Sequence, residues 1–349
     1  MVTATATFED DMKVKMASES VPDVFSTHGW SVMRYAPFLE PLDSQPWVKE
    51  VKPGLKDIMF DQDGHIYALP LEYSATGFLV NHKVLKEAGV DPAALSTWEG
   101  FDQALAAVKE IGKIPLAVAG KEQGSGNLAN FIASGQFTAA ENEKFQKAEF
   151  DTALWQKGVS DRLEKWQKRH WFNPDYSSAS VDDVARQLAD GSAAFGAENT
   201  SVLATALEYN SEADLGFIPI PGVDPFVVGG EGNNTYGVSK TSANKELAIK
   251  FVNFIAEPKN AVKMLQALAA DSGLANAKVD LGKIQPSIDK YVTSGKFPTK
   301  PFFDRVYLPG GMWDTIVKSS DGVITGQLSS ADAAKQLFDH YQALSEQQK

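Results

Sequence analysis

Between Leu69 and Leu85 the chain changes character three times. Pro70 leads into polar side chains, Glu72-Tyr73-Ser74. An apolar run, Phe78-Leu79-Val80, comes next, and Asn81 then precedes a short helical segment ending at Ala88-Gly89-Val90. A buried strand that enters through a proline and feeds a helix has this form. Further strands are predicted at Val2–Thr7, Asp23–Ser26, His65–Ala68, Thr76–Asn81, Leu116–Val118, Ala193–Ala197, Leu215–Pro219 and Tyr236–Ser239. Helical periodicity lies between them. Phe8–Ser18 has an acidic first turn and later lysines, an order that suits the helix dipole. Ser96-Thr97-Trp98-Glu99 has the spacing of a capping box ahead of an apolar-periodic Phe101–Ile111. Ser180-Val181-Asp182-Asp183 opens another helix, closed by Asp190-Gly191. Asn244–Ala256 is amphipathic and stops at Glu257-Pro258. Alternating strands and helices predict an α/β protein.

Two segments break the alternation. Pro219–Pro225 is rich in proline and glycine, and Gly229-Gly230-Glu231-Gly232-Asn233-Asn234 follows closely. Both are read as hinge or ligand-facing loops, because glycine adopts backbone angles that other residues avoid.

At 349 residues the chain is too long for one ordinary core, and two lobes are expected. The net charge of −12 argues against nucleic acid and anionic membrane surfaces as partners. There is no cysteine, which excludes disulfides, thiolate metal sites and a thiol nucleophile. No apolar run reaches the roughly 18 residues of a membrane span. Met1–Thr7 has neither a basic start nor an apolar core, so the chain taken literally would stay inside the cell. The sequence holds no G-x-S-x-G, H-E-x-x-H or phosphate-binding loop, and its five histidines are scattered. Gly124-Ser125-Gly126 is too short for a dinucleotide fingerprint. With 45 acidic residues, paired carboxylates for glycoside hydrolysis cannot be singled out. No cofactor and no metal is implied.

Several ordered segments carry a resemblance. They are Met16-Ala17-Ser18 with Pro22-Asp23-Val24-Phe25, Phe38–Asp43, Gly64-His65-Ile66-Tyr67-Ala68-Leu69-Pro70, Pro92–Trp98, Gly191-Ser192-Ala193-Ala194-Phe195 and Tyr236–Ala248. Met312-Trp313 and a closing amphipathic helix follow. Each is weak alone, but their order over nearly the whole chain resembles the family 1 extracellular solute-binding proteins of ABC importers, the maltose-binding-protein-like group. The resemblance implies an α/β, two-lobe periplasmic-binding-protein-like fold of type II with a hinge between the lobes. Residues 1–71 plus 230–270 would form one lobe, and 72–229 plus 271–349 the other. It also implies a monomeric clamp in the periplasm or on the cell surface, as in secreted lipoproteins, presenting its cargo to membrane permease subunits. In that family a secretion signal, a strand and a helix precede the point where this chain begins. A shortened chain, a misplaced start codon or a smaller natural variant would each account for that.

The same resemblance selects candidate ligand contacts. Thr27, His28 and Trp30 follow the Asp23–Ser26 strand at its carboxyl end, where open α/β sheets hold ligands. Glu72, Tyr73 and Ser74 stand at the first crossing. Gln123, Ser125 and Asn127 are placed in a polar, glycine-rich loop. Glu198 and Asn199 end a strand of small residues, Glu231 and Asn233 lie in the glycine-rich crossing, and Trp313 and Asp314 would open a helix. Trp47, Trp98, Trp155, Trp166 and Trp171 are read as structural. Relatives often carry a tryptophan after the Ala193-Ala194-Phe195 element; Ala197-Glu198-Asn199 stands here, which weakens the case for an aromatic platform from that strand. The expected function is capture of a sugar or oligosaccharide by lobe closure. A cationic or other polar solute is the alternative, motivated by Glu72, Glu198 and Glu231. A glycoside-active enzyme and a sensor that reports to a kinase are more distant readings.

Overall fold

The computed structural model describes residues 8–18, 20–27, 32–147, 149, 151–222, 224–231, 234–268 and 270–347. The predicted strand Val2–Thr7 lies outside them. In chain order the strands are β1 (Val24–Ser26), β2 (Ala68–Pro70), β3 (Glu72–Thr76), β4 (Phe78–Asn81), β5 (Ile114–Ala117), β6 (Ala193–Gly196), β7 (Leu215–Ile218), β8 (Val227–Glu231), β9 (Thr235–Val238), β10 (Asp271–Ser272) and β11 (Thr299–Lys300). The helices needed below are α1 (Phe8–Ala17), α2 (Trp98–Glu110), α3 (Gly124–Gln136), α4 (Val181–Ala189), α5 (Lys245–Ala256) and α6 (Trp313–Ile324).

The chain divides into two compact units, Met1–Ser74 with Gly230–Leu281 and Ala75–Gly229 with Gly282–Lys349. Relative to the boundaries expected from the sequence, two crossings fall later, after residue 74 instead of 71 and after 281 instead of 270. The reason is strand pairing. Glu72 and Tyr73 in β3 register against Ser272 and Asp271 in β10, and the backbone bonds from Leu71 N–H to Asn234 O and from Lys52 N–H to Gly273 O bind both segments to the first unit.

In the first unit β9 is central, antiparallel to β1 (Phe25↔Gly237) and to β2 (Leu69↔Tyr236). Gly237 lets Leu39 pack directly on the strand: a Cβ there would lie 2.4 Å from Leu39 Cδ2. A small core of Met12, Phe25, Tyr35 and Leu39 joins α1 to this sheet.

The second unit is built on a sheet of order β5-β6-β4-β7, with β5 and β6 parallel and the other neighbours antiparallel. Every residue of β4 is buried, as its unbroken apolar run predicts. Asn81 ends β4 and caps the next helix, accepting from the Val84 N–H at 3.1 Å and donating to Leu188 O at 2.8 Å. The core is strongly aromatic. Phe78 stacks on Phe101 with centroids 4.4 Å apart, and Phe101 meets Phe195 at 4.8 Å. Trp155, Trp166 and Trp171 are buried here, and Trp47 is buried in the first unit, where its Nε1–H donates to Asn253 Oδ1 at 3.0 Å. Trp98 is half-buried under the guanidinium of Arg162, 4.2 Å from the ring centre.

Three local expectations are corrected. Thr97, not Ser96, caps α2: its hydroxyl accepts from the Gly100 N–H, while Ser96 finishes a preceding 3₁₀ turn. The glycine-rich segment after Phe226 is strand β8 up to Glu231, parallel to β11 at Val227↔Thr299. The stretch assigned to a loop around Ser125 and Asn127 is the first turn of α3. Ser180 does open α4, with a complete capping box to Asp183.

Candidate functional site

Parallel pairing sends β5 and β6 off the same edge of the second unit's sheet. The residues just past their carboxyl ends, Ala119 and Glu198, therefore meet. Glu198 Oε1 accepts from the Ala119 N–H at 3.1 Å, and Oε2 accepts from Asn127 Nδ2 at 3.3 Å. The chain past β5 turns into α3, whose N-terminus lies against the same carboxyl group: a Cβ on Gly124 would stand 2.5 Å from Glu198 Oε1. Glycine is needed there for close packing against the carboxyl. Glu198 is buried, and desolvation pushes its pKa up to about 7 against the opposing pull of its two donors, with Glu122 raising it further.

Trp313 begins α6 and reaches the same place from the other end of the sequence. Its Nε1–H donates to Gln123 Oε1 at 2.7 Å, and the ring stays half-buried. Beneath it Ser125 is buried and donates to Val317 O at 3.3 Å. Tyr176 donates to Asp321 on α6, and burial followed by that bond raises the phenol far above its ordinary range. Four expected residues, Gln123, Asn127, Glu198 and Trp313, thus form one face, and Ser125 anchors it from below. Asn199 is exposed beside it and its carbonyl accepts from the Val202 N–H. Asp314 is not part of this constellation; it is exposed and pairs with Lys318 at 2.6 Å, one turn along α6.

The first unit carries a second polar row. Asn234 Nδ2 donates to Glu72 Oε2 at 2.6 Å, and the Tyr236 hydroxyl donates to Asn234 Oδ1 at 3.1 Å. Tyr236 is raised by burial and by the charge of Glu72. Asn234 and Tyr236 were not among the sequence candidates; alternation along β9 from Asn234 was the signal that pointed to them. Tyr73 is buried with Lys52 Nζ 5.5 Å from its ring centre, and Lys52 pairs with Asp271 at 2.7 Å. Ser74 is half-buried at the end of this unit's segment. Thr27 is wholly buried; its N–H donates to Thr235 O at 3.1 Å, and its hydroxyl has no partner among the described residues. His28, Trp30 and Asn233 lie outside the described residues. Glu231 ends β8.

Carboxyl, amide and phenol groups in rows, with an indole beside one of them, are the equipment of a protein that recognises a polar solute by hydrogen bonding and stacking. Two α/β units joined by three chain crossings carry them. The chain belongs to the family of bacterial extracellular solute-binding proteins, whose model matches residues 2–262. It is 30% identical to the melibiose/raffinose/stachyose-binding protein MelE of Bacillus subtilis (strain 168), over 97% of this chain and 81% of MelE. Its fold is similar to that of the binding protein MsmE of the same organism, crystallised in an open conformation, with a TM-score of 0.89 and 28% identity over 98% of this chain and 88% of that one. A sugar transporter of Bacillus licheniformis in complex with stachyose is also similar, with a TM-score of 0.86 and 28% identity over 97% and 89%.

Proposed function

We propose that this protein captures a sugar outside the cytoplasmic membrane for an ABC importer, and that its cargo is an oligosaccharide of the melibiose, raffinose and stachyose group. The observation that carries the reading is the face on the second unit. There the Trp313 ring stands beside Gln123, Asn127 and Glu198, an aromatic surface next to hydrogen-bonding groups, which suits the apolar face and hydroxyl rim of a pyranose. The names of the relatives support the same class of cargo. The Glu72–Asn234–Tyr236 row of the first unit would add further hydroxyl partners. Closure around the solute is part of the proposal, because a ligand shifts such an equilibrium only by its differential affinity for the two states. The protein then acts alone as a monomer, releases the sugar chemically unchanged to permease subunits, and works in the periplasm or as a lipoprotein on the cell surface.

Titration calorimetry with melibiose, raffinose, stachyose, maltose and spermidine tests this. Saturable binding of the first three is expected, with little dependence on salt. Trp313→Ala should weaken it by roughly tenfold or more, the scale of one lost stacking contact. Heat from spermidine alone, suppressed by salt, would move the assignment to a cationic solute. No heat from any sugar would end the sugar reading.

A further inference from the structure

Only two non-glycine residues among those described have a positive φ, and one of them is Gln123, at +66°. Glutamine has no special tolerance for this region, in contrast to glycine, asparagine and aspartate. Glycine is also close at hand, since Gly124 is the next residue. Strain of this kind persists only where the surroundings impose it, and it gathers at functional sites. At this position the left-handed turn ends a 3₁₀ turn and starts α3, with Gln123 O accepting from the Gly126 N–H at 2.9 Å, and any residue can supply that backbone acceptor; what the glutamine side chain adds is Oε1 within 2.7 Å of Trp313 Nε1, across 190 positions of sequence.

A second constraint acts on the same ring from below. A Cβ on Gly126 would lie 2.8 Å from Trp313 Cη2, 3.1 Å from Cζ2 and 2.7 Å from Val317 Cγ2. The missing side chain lets the indole lie directly against the first turn of α3. Ser125 ties that turn to α6 through Val317 O. The ring is thereby gripped at its pyrrole edge by Gln123 and along its benzo edge by Gly126.

We infer that Gln123 and Gly126 are positioning residues that fix the plane of Trp313 before ligand arrives, so that the side of the ring left uncovered is a ready-made stacking surface. This rests on the sugar-binding reading above and deepens it. A tryptophan with two free side-chain torsions loses freedom on stacking; one already held loses little, and the saving appears as affinity.

Gln123→Gly separates this role from a merely structural one. Glycine relieves the left-handed backbone, so thermal stability should hold or rise, while the bond to Trp313 is lost. Raffinose or stachyose affinity should fall roughly tenfold, the scale of one misplaced stacking contact. Trp313 fluorescence, taken as the difference between each protein and its Trp313→Phe partner, should become more accessible to acrylamide. In a double-mutant cycle the two substitutions should be strongly non-additive. Gln123→Asn, which tolerates the same backbone but is a methylene shorter, should repeat the loss. Unchanged affinity in Gln123→Gly would overturn the inference, and so would an equal loss with Phe at 313. If the parent binds no sugar, the sugar reading fails by itself. The quenching comparison then decides: greater accessibility of Trp313 sustains the positioning role, and an unchanged value overturns it.

Discussion

Glu198 offers the most direct test of the electrostatics of the second unit. Its carboxyl is buried, accepts two hydrogen bonds and has no cation among its partners in the described residues. Burial carries its pKa from 4.5 to about 7. Between those values the unfolded chain has lost a proton that the folded chain keeps, so stability falls as pH rises through the window and levels off above it. At 1.36 kcal/mol per pH unit the gap corresponds to about 3 kcal/mol. The perturbation is Glu198→Gln. The amide oxygen still accepts from Ala119, and Asn127, half-buried, can turn its own amide to accept from the new NH₂; any residual mismatch is independent of pH. Urea unfolding at a series of pH values, read through the tryptophans of this unit, gives the stability of each protein. The parent minus the variant cancels all other titrating groups. That difference should drop by about 3 kcal/mol between pH 4.5 and 8, mostly between 5 and 7.5. A difference that stays flat to within about 1 kcal/mol would refute the reasoning, because Glu198 would then keep an ordinary carboxylate pKa.

Two substitutions test the packing on which this face stands. In Gly77→Ala a Cβ would fall 1.8 Å from the carbonyl oxygen of Ile218, a backbone atom in the β4–β7 ladder that cannot give way locally. A loss of about 3 kcal/mol or more is expected, and a parental urea midpoint would contradict it. Asp102 accepts from Trp166 Nε1 and Lys165 Nζ, each at 2.6 Å, and lies 3.8 Å from the mostly buried guanidinium of Arg162. Asp102→Ala leaves the indole N–H without its acceptor and removes the anion beside that guanidinium, which keeps a long bond to Gln136 Oε1 at 3.5 Å, so unfolding should become easier by about 2–4 kcal/mol. A change of under about 0.5 kcal/mol in the urea-derived stability would show that solvent already satisfies these groups.

How much of this was legible in the chain follows from the range of each signal. The apolar run Phe78-Leu79-Val80 announced a strand buried on both faces, because burial of a strand is written in consecutive residues. The Ser180–Asp183 cap was equally plain, since all of its donors and acceptors lie within four positions. Ser96 misled because Thr97 offers the same hydroxyl one residue later, and the choice between them depends on where the preceding 3₁₀ turn ends. Gly229-Gly230 looked like a loop because glycine weakens the strand pattern; it continues β8, whose Val227 and Val228 pair with Thr299 and Lys300 some seventy positions on.

The candidate site obeys the same logic at longer range. Gln123, Asn127, Glu198 and Trp313 could each be proposed from type and context, but nothing in the sequence says that they touch. Glu198 meets Ala119 because β5 and β6 run parallel and end together, a consequence of sheet order and not of spacing. Local reading placed Ser125 and Asn127 in a loop because Gly124-Ser125-Gly126 reads as a helix breaker. The two glycines instead admit, respectively, a carboxyl and an indole against the backbone of a helix. Their real partners, Glu198 and Trp313, lie 74 and 187 positions away. Glycine in a helix lowers its intrinsic stability, so a pair of them in one turn marks a place where something outside the helix must come close. The tripeptide dismissed as an incomplete dinucleotide motif was thus the strongest local pointer to the candidate site, and what it lacked was the identity of the visitors.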